Sequence, residues 1–182
     1  SEGGCEVIVV DNGSTDQSAD IAQSFDQVTL LRETDYLGSP YSARNRGIEA
    51  ASGSLIALLD ATCVPAPTWL EEGVKCVGNS SVDFVAGHVE FTFSDPPTAG
   101  EFLDSMTNIR MRDNVRKRGV AKTANLFVPK SLFEAVGLFS EGIRSGGDVQ
   151  WTSRVTKEGY TLGFCEDAVA RKPARGLSAL IK

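Results

Sequence analysis

Short apolar runs alternate with segments of helical spacing along the first half of the chain. Three runs are typical of strands covered on both faces: residues 6–10, 28–31 and 54–59. Segments with apolar residues at helical spacing lie between them, at residues 15–25 and 41–51. This alternation predicts an α/β fold with a mixed, mainly parallel sheet flanked by helices.

The second half of the chain mixes the two element types less regularly. Strands are predicted from β-forming residues at residues 82–93, 126–128 and 161–165. Helices are predicted from helical periodicity at residues 69–77, 98–118, 132–136 and 148–158. No internal repeat or low-complexity linker divides the sequence, so residues 1–182 are predicted to form a single domain.

The first predicted strand lies close to the start of the chain, although it reads as a strand from inside a sheet. Residues 6–10 (EVIVV) run directly into the polar loop at residues 11–14 (DNGS). A strand covered on both faces normally has neighbours on both sides. We therefore expect that a strand and a helix of the complete domain are missing from the N-terminal end.

Composition and charge narrow the class of function. Hydrophobic residues make up 41% and charged residues 23% of the chain, values typical of a globular protein. The net charge of −6 argues against nucleic acid as a general partner. Every apolar run is shorter than the roughly 20 residues that cross a bilayer, so no membrane-spanning helix is predicted.

The four cysteines are far apart in the sequence and include no CxxC pair. Cys5, Cys76 and Cys165 stand among apolar residues, where free cysteines are usually buried. We therefore predict free, buried thiols in a reducing compartment, which indicates a cytoplasmic protein.

Polar residues with carboxylates follow predicted strands or precede a late helix. They are residues 11–14, Asp60 and residues 146–148 (GGD). In open α/β sheets ligands bind beyond the carboxyl ends of the strands. A single aspartate after a strand is most often a helix cap or a turn former. Three such places, together with Arg44 and Asn45 on the intervening helix, favour a nucleotide site.

Three linked segments carry a resemblance to a known family. They are residues 7–22 (VIVVDNGSTDQSADIA), residues 38–72 (from GSPYSARNRG to LLDATCVPAPTWLEE) and residues 123–160 (from TANLFVPK to GGDVQWTSRVTKEGY). In this order they resemble inverting family 2 glycosyltransferases of the GT-A fold, over about residues 5–178. The opening SVVIPxYN-type segment of that family is absent, in agreement with the missing first strand.

The resemblance implies a nucleotide-binding half at residues 1–93 and an acceptor-side half at residues 94–182. A nucleotide-diphosphate sugar would be the donor. Asp11 and Asn12 would contact the base or ribose of this donor, and Arg44 and Asn45 would line the same pocket. These roles follow from the family pattern and not from composition or spacing.

Asp148 occupies the position of the family's general base. Inverting transfer needs one base that removes the proton of the incoming hydroxyl, and a helix N-terminus favours a charged carboxylate. We also expect Gly146, Gly147 and Trp151 on the acceptor side, because the two glycines let the backbone approach a sugar closely and the indole ring would stack on it. The alternatives are that Asp148 only caps its helix and that Trp151 is a core aromatic.

The family's metal site is altered in this sequence. Asp60 matches the first acid of the DxD motif, which contacts the ribose or sugar of the donor. Thr62, also expected at the donor, stands where the second acid would bind Mn²⁺ or Mg²⁺. Lys172 stands in the segment DAVARKPAR where many relatives carry a histidine ligand. We hypothesise that Lys172, helped by Arg171 or Arg175, supplies the charge of the metal, which leaves Asp60 as a weak ligand at most. The alternative is a solvated basic tail on a protein of weak or no activity.

The sequence therefore predicts a glycosyltransferase that uses a nucleotide-diphosphate sugar and a glycan or lipid-linked acceptor, in envelope polysaccharide synthesis. The alternative is a non-catalytic domain that binds a nucleotide or glycan. No glycine-rich loop with a lysine or arginine signature of nucleotidyltransferases is present. Residues 94–121 read as an acceptor-side lid with basic residues at 110–118, consistent with an anionic acceptor or the inner face of a membrane. A solvated helix face is the simpler explanation of that run.

Overall fold

The computed structural model describes residues 4–79 and 81–180. Its strands are, in chain order, β1 (Val7–Asp11), β2 (Val28–Arg32), β3 (Leu55–Leu59), β4 (Val64–Pro65), β5 (Phe84–Thr92), β6 (Asn125–Pro129) and β7 (Leu162–Pro173). Its helices are α1 (Ser18–Gln23), α2 (Pro40–Ala50), α3 (Trp69–Val77), α4 (Ala99–Thr107), α5 (Met111–Arg118), α6 (Lys130–Val136), α7 (Gly147–Lys157) and α8 (Leu177–Leu180). Within the described ranges, no helix is long and apolar enough to cross a membrane.

The chain divides into two compact units that are both discontinuous in sequence. The first unit contains the residues up to Ile56 together with Pro129–Trp151, and the second contains Ala57–Val128 and the residues from Thr152 onwards. This division follows packing and does not coincide with the boundary at residues 93 and 94. The nucleotide-binding and acceptor-side halves therefore stay a prediction about roles.

The first unit is built on two parallel strands with α1 between them in the chain. β1 pairs with β2 in register from Val7 opposite Val28 to Asp11 opposite Arg32. Both strands end at the same edge, as the alternation of strand and helix predicts. Glu6 ties the start of β1 to the end of α2, because its carboxylate accepts the N–H groups of Ser52 and Gly53 at 2.7 and 2.9 Å.

The second unit contains a five-stranded sheet in the order β3-β6-β5-β7-β4. β5 and β7 are parallel, whereas β5 with β6 and β4 with β7 are antiparallel. Phe84, Leu126 and Phe127 on the central strands are fully buried. α3 packs very closely on this core, because a Cβ atom at Gly73 would lie 2.2 Å from the Phe127 ring. The predicted mixed sheet flanked by helices is thus present, since parallel and antiparallel pairings occur together in it.

Two elements of the second unit differ from their predicted extents. The segment predicted as one helix at 98–118 forms α4 and α5 with a break at residues 108–110. β7 continues to residue 173 because three residues, 166–168, form a bulge and pairing then resumes: Gly87 lies opposite Cys165 but His88 opposite Val169. The charged residues of this bulge interrupt the apolar pattern, so the sequence suggested that the strand ends at 165.

The prediction of free, buried thiols is wrong for three of the four cysteines. Cys76 of α3 and Cys165 of β7 form a disulfide across 89 residues of sequence. Cys5 is exposed, and Cys63 alone is free and buried. The pairing arises because α3 packs against β7, which no local spacing signals. The inference of a reducing, cytoplasmic location loses its basis with the free thiols.

Candidate active site

The first candidate cluster lies at the shared end of β1 and β2. Asp11 is the last residue of β1, and its Oδ1 accepts the N–H of Ser14 at 3.1 Å. Hydrogen bonds from the side chain and the N–H of Ser14 lower the pKa of the Asp11 carboxyl. Asn12 bridges to the loop before α2, since its amide donates to Ser39 O at 2.6 Å and accepts from Gly38 N at 3.1 Å. Asn12 thus holds the loop that leads to α2.

A second acid at this edge was missed from the sequence. Glu33 follows β2 directly and is buried, and its N–H donates to Asp11 O at 2.8 Å. Its Oε1 accepts the N–H groups of Asp35 and Tyr36 at 2.7 and 3.0 Å. The N–H groups of Tyr36 and Asp35 lower the pKa of the Glu33 carboxyl. The available signal was an acid close to the end of the predicted strand 28–31, similar to the signal that identified Asp11.

The two predicted site residues of α2 have different environments. Arg44 is half-buried, donates to Pro40 O at 3.1 Å and lies 5.4 Å above the ring of Tyr41. Asn45 is buried, and its amide exchanges two hydrogen bonds with the backbone of Phe139, at 2.9 and 3.0 Å. The structure assigns Asn45 to this backbone bracket and not to the lining of a nucleotide pocket, because both ends of its amide are used there.

Asp148 lies in the first turn of α7, as predicted. The residue is 9% exposed, and its Oδ1 accepts the N–H of Val149 at 2.8 Å and the hydroxyl of Tyr41 at 3.3 Å. Gly147 makes room for Tyr41, since a Cβ atom there would lie 2.8 Å from the phenol ring. Gly146 has a φ of +79°, which favours glycine. The two glycines therefore shape the turn that presents Asp148.

Tyr41 is a further residue of this cluster that the sequence did not identify. Burial raises the pKa of its phenol, and the negative charge of Asp148 adds to the effect. The phenol therefore stays protonated at neutral pH and donates to the carboxylate. The sequence gives no local sign of this pair, because Tyr41 and Asp148 are 107 positions apart.

The structure places Trp151 in the core of the first unit instead of on an acceptor surface. The residue is 1% exposed, and its ring stacks on Phe133 at 4.6 Å and tilts against Phe139 at 5.2 Å. Its indole N–H donates to Gly137 O at 2.6 Å. The face of the indole ring packs against aromatic side chains and its N–H is hydrogen-bonded inside the protein, so a sugar has no access to either.

The second candidate cluster, here called the lysine cluster, consists of Asp60, Thr62 and Lys172. Asp60 follows β3, and its N–H donates to Ala124 O at 3.3 Å. The Lys172 ammonium contacts the Thr62 hydroxyl and lies 3.4 Å from Asp60 Oδ2. The Lys172 side chain is 11% exposed and that of Asp60 27% exposed. The two positions that depart from the metal-binding pattern therefore meet each other.

The residues of the lysine cluster do not fit a divalent cation. Mn²⁺ and Mg²⁺ require several oxygen ligands and avoid a neighbouring positive charge. Here the ammonium of Lys172 lies beside the carboxylate of Asp60 and engages the hydroxyl of Thr62. Throughout residues 4–79 and 81–180, no group of three or more His, Cys, Asp or Glu side chains is arranged to hold a metal.

Two neighbouring cations are engaged elsewhere. Arg171 pairs with Glu90 at 2.9 Å on the exposed side of the sheet. Arg175 makes three hydrogen bonds to the fully buried Asp104, at 2.8, 2.9 and 3.1 Å. The structure therefore assigns Arg175 to α4 and not to a diphosphate. Of the three cations considered, Lys172 is the one that the fold brings to Asp60.

Comparison with known proteins adds the family context. The profile described as "Glycosyl transferase family 2" matches residues 1–129. The chain is similar to glycosyltransferase AglE of Haloferax volcanii, with 47% identity over 181 residues, covering 97% of this chain and 59% of that protein. It is 28% identical to the pre-mycofactocin glycosyltransferase of Mycobacterium tuberculosis, covering 88% of this chain and 36% of that protein. The chain thus spans less than two thirds of the length of either relative.

Solved structures share the fold at low sequence identity. A mannosyltransferase from Pyrobaculum calidifontis, in complex with GDP-Man and Mn²⁺, has a TM-score of 0.67 at 23% identity, covering 96% of this chain and 50% of that one. S. aureus TarS 1–349, in complex with UDP-GlcNAc, has a TM-score of 0.70 at 18% identity, covering 93% and 50%. These likenesses confirm the predicted fold class.

Proposed function

The chain belongs to glycosyl transferase family 2, and from this premise we propose that it transfers a sugar from a nucleotide-diphosphate donor to a hydroxyl acceptor. Two proteins of the same fold, one with UDP-GlcNAc and one with GDP-Man, support a donor of this class. The acceptor is proposed to be a glycan or a lipid-linked saccharide. A role in envelope polysaccharide synthesis stays a prediction.

The observation that carries the proposal is the lysine cluster at the end of β3. Departure of a nucleoside diphosphate develops negative charge on its phosphate oxygens, and a fixed cation stabilises that charge in the transition state. The contacts of its ammonium with Asp60 and Thr62 support this role for Lys172. An ammonium is a compact point charge suited to a phosphate. We therefore propose transfer that does not depend on a divalent metal.

Asp148 is proposed as the general base. Its carboxylate takes the proton of the acceptor hydroxyl while the hydroxyl oxygen bonds to the anomeric carbon and the bond from that carbon to the diphosphate breaks. Attack from the side opposite the leaving group inverts the anomeric centre. Tyr41 acts as a positioning residue, because its hydroxyl and the N–H of Val149 both donate to Oδ1 and fix the plane of the carboxylate.

Calorimetric titration with UDP and GDP tests the metal-independent site. We expect binding that EDTA leaves unchanged and that Lys172→Ala weakens at least tenfold, about 1.4 kcal/mol. Arg171→Ala is the matched control, since Arg171 precedes Lys172 on β7 but pairs with Glu90. Binding that Mn²⁺ strengthens more than tenfold, or that Lys172→Ala leaves intact, would contradict the proposed role of Lys172.

A non-catalytic domain that binds a nucleotide is the second candidate, favoured by the loss of the second DxD acid at Thr62. Asp148→Asn separates the two readings. In a transferase this change lowers kcat by roughly 10²–10⁴-fold and leaves nucleotide affinity unchanged. Tyr41→Phe should lower kcat about tenfold with no change in the donor KM. If neither change affects the turnover of any donor, a non-catalytic domain that binds a nucleotide becomes the preferred function.

A further inference from the structure

Helix α4 presents its apolar residues to solvent and its acids to the protein. Phe102, Leu103 and Met106 are 51%, 49% and 69% exposed, whereas Glu101 and Asp104 are 7% and 0% exposed. A surface helix of a globular protein normally has the opposite arrangement, with its apolar stripe on the core. An exposed apolar helix face of this kind marks an interaction surface.

The inward acids fix this orientation. Glu101 forms a capping box with Thr98 and also accepts the N–H and hydroxyl of Ser94, both at 2.8 Å. These hydrogen bonds, first that from Ser94 N–H, lower the pKa of Glu101 to about 2. Asp104 is held by Arg175 and by the amide of Asn108 at 3.1 Å. Rotation of α4 would break both sets of bonds, so the apolar side chains cannot turn inward.

The exposed face continues onto neighbouring elements. Phe93 after β5 is 42% exposed and contacts Phe102 with ring centroids 5.4 Å apart. Leu177 at the start of α8 is 55% exposed, and α8 approaches α4 so closely that a Cβ atom at Gly100 would lie 2.3 Å from Leu177 N. We call Phe93, Phe102, Leu103, Met106 and Leu177 the α4 surface.

Basic residues follow α4 directly in the chain. Residues 108–122 contain six basic residues and one acid, in a protein of net charge −6. The basic residues are Arg110, Arg112, Arg116, Lys117, Arg118 and Lys122. Asp113 pairs with Arg110 and Lys117, and Glu166 pairs with Arg112. The segment with α5 is therefore strongly positive even after its ion pairs are counted.

We propose that the α4 surface and α5 dock on an anionic lipid bilayer. The apolar side chains of the α4 surface enter the boundary between headgroups and acyl chains, and the basic residues of α5 bind headgroup phosphates. Apolar side chains combined with a cationic helix are the features of segments that lie on anionic membranes. A second copy of the chain suits this surface less well, because a two-fold contact brings the same positive helix from each copy.

Vesicle sedimentation tests the docking surface without any measurement of sugar transfer, so failure of one proposal leaves the other standing. We expect the protein to bind vesicles of phosphatidylcholine with phosphatidylglycerol, to bind phosphatidylcholine alone weakly, and to lose affinity as salt rises. The double change Phe102→Ser with Met106→Ser should lower partitioning at least about tenfold. Ile21→Ser is the matched control, because Ile21 is 56% exposed but lies on α1.

A charge reversal tests the basic part of the surface. Arg116→Glu should lower binding to the anionic vesicles about tenfold, whereas Lys157→Glu, an exposed change at the end of α7, should have little effect. Equal binding to both kinds of vesicle, or binding that the serine pair leaves unchanged, would overturn the proposal. A concentration-dependent dimer that Met106→Ser dissolves would also overturn it in favour of a second copy.

Discussion

Lys172 and Arg175 are three residues apart, yet the fold gives them opposite tasks. Arg175 makes three hydrogen bonds to Asp104, whose side chain is fully buried on α4. Lys172 lies at a longer distance, 3.4 Å, from Asp60, whose side chain is 27% exposed. A cation that saturates a buried carboxylate holds structure. The ammonium of Lys172 is itself largely buried, but its longer contact is with a carboxylate that reaches solvent, so in the proposed function it exchanges this contact for an anionic ligand.

The largest expected effect is on catalysis through Lys172. Lys172→Ala should lower the rate of sugar transfer roughly 10²–10³-fold, because one fixed donor to the developing charge is lost. The melting temperature should fall by less than in Arg175→Ala, because Asp60 is 27% exposed whereas Asp104 is fully buried. Arg175→Ala serves as the comparison. It should leave the rate of sugar transfer within about threefold of the wild-type rate, a smaller change than the loss of one hydrogen bond to the donor would cause. Transfer rates that fall equally in both variants would break the distinction between the two cations.

Arg175→Ala should act on folding instead. The change leaves Asp104 as a buried carboxylate without its guanidinium, at a cost of about 1–3 kcal/mol in the free energy of unfolding, less than for a fully buried pair because Arg175 is half-exposed. Denaturant titration gives this free energy. UDP and GDP affinities should be those of the wild type, and a loss of affinity would return Arg175 to the diphosphate site.

A smaller effect is expected at Thr62, whose hydroxyl contacts the Lys172 ammonium. Thr62→Val keeps the shape but removes this hydrogen bond, so diphosphate affinity should fall by about fivefold. Thr62→Ser, which retains the hydroxyl, is the control. If valine and serine behave alike, the hydroxyl does not position the ammonium.

The smallest expected effect is on the melting temperature at acidic pH, through the pair of Asp104 with Arg175. Burial tends to raise the pKa of Asp104, but the hydrogen bonds and charge of Arg175 outweigh it and the net pKa is lowered from 3.8. A lowered pKa in the folded state adds stability above pH 3.8, and this contribution is lost as pH falls through the folded-state value. Asp104→Asn should therefore flatten the decline of melting temperature below about pH 4. An unchanged slope would mean that the pair with Arg175 contributes nothing to acid stability.

Local pattern was sufficient for the fold and for the position of several candidate site residues on it. The resemblance to family 2 and the GT-A fold are confirmed by the family match and the shared fold. Asp11, Asp60 and Asp148 lie where a strand ends or a helix begins, which a sequence displays directly. The meeting of Thr62 and Lys172 was suggested by two linked departures from one family pattern, and the structure brings their side chains together.

The remaining assignments depended on partners that are distant in sequence. Asn45 and Trp151 are polar or aromatic residues inside plausible motifs, but their partners in the turn and helix of residues 133–139 appear only when the chain packs. In the sequence Arg175 looks like a free cation. Only the fold shows that Asp104 of α4 is buried and pairs with it. The disulfide between Cys76 and Cys165 is hidden for the same reason.

The bulge at residues 166–168 sets which side chains at the end of β7 lie on the buried face of the sheet. Side chains alternate between the faces of a strand, and three extra residues reverse this alternation: Cys165 is buried before the bulge, and Ala168, Ala170 and Lys172 are buried after it. Removal of one bulge residue moves every later residue of β7 back by one position, so Lys172 would take the outward place of Arg171 and Pro173 would take the place beside Asp60. The length of the bulge therefore keeps an ammonium at Asp60, because the proline that would replace it carries no charge.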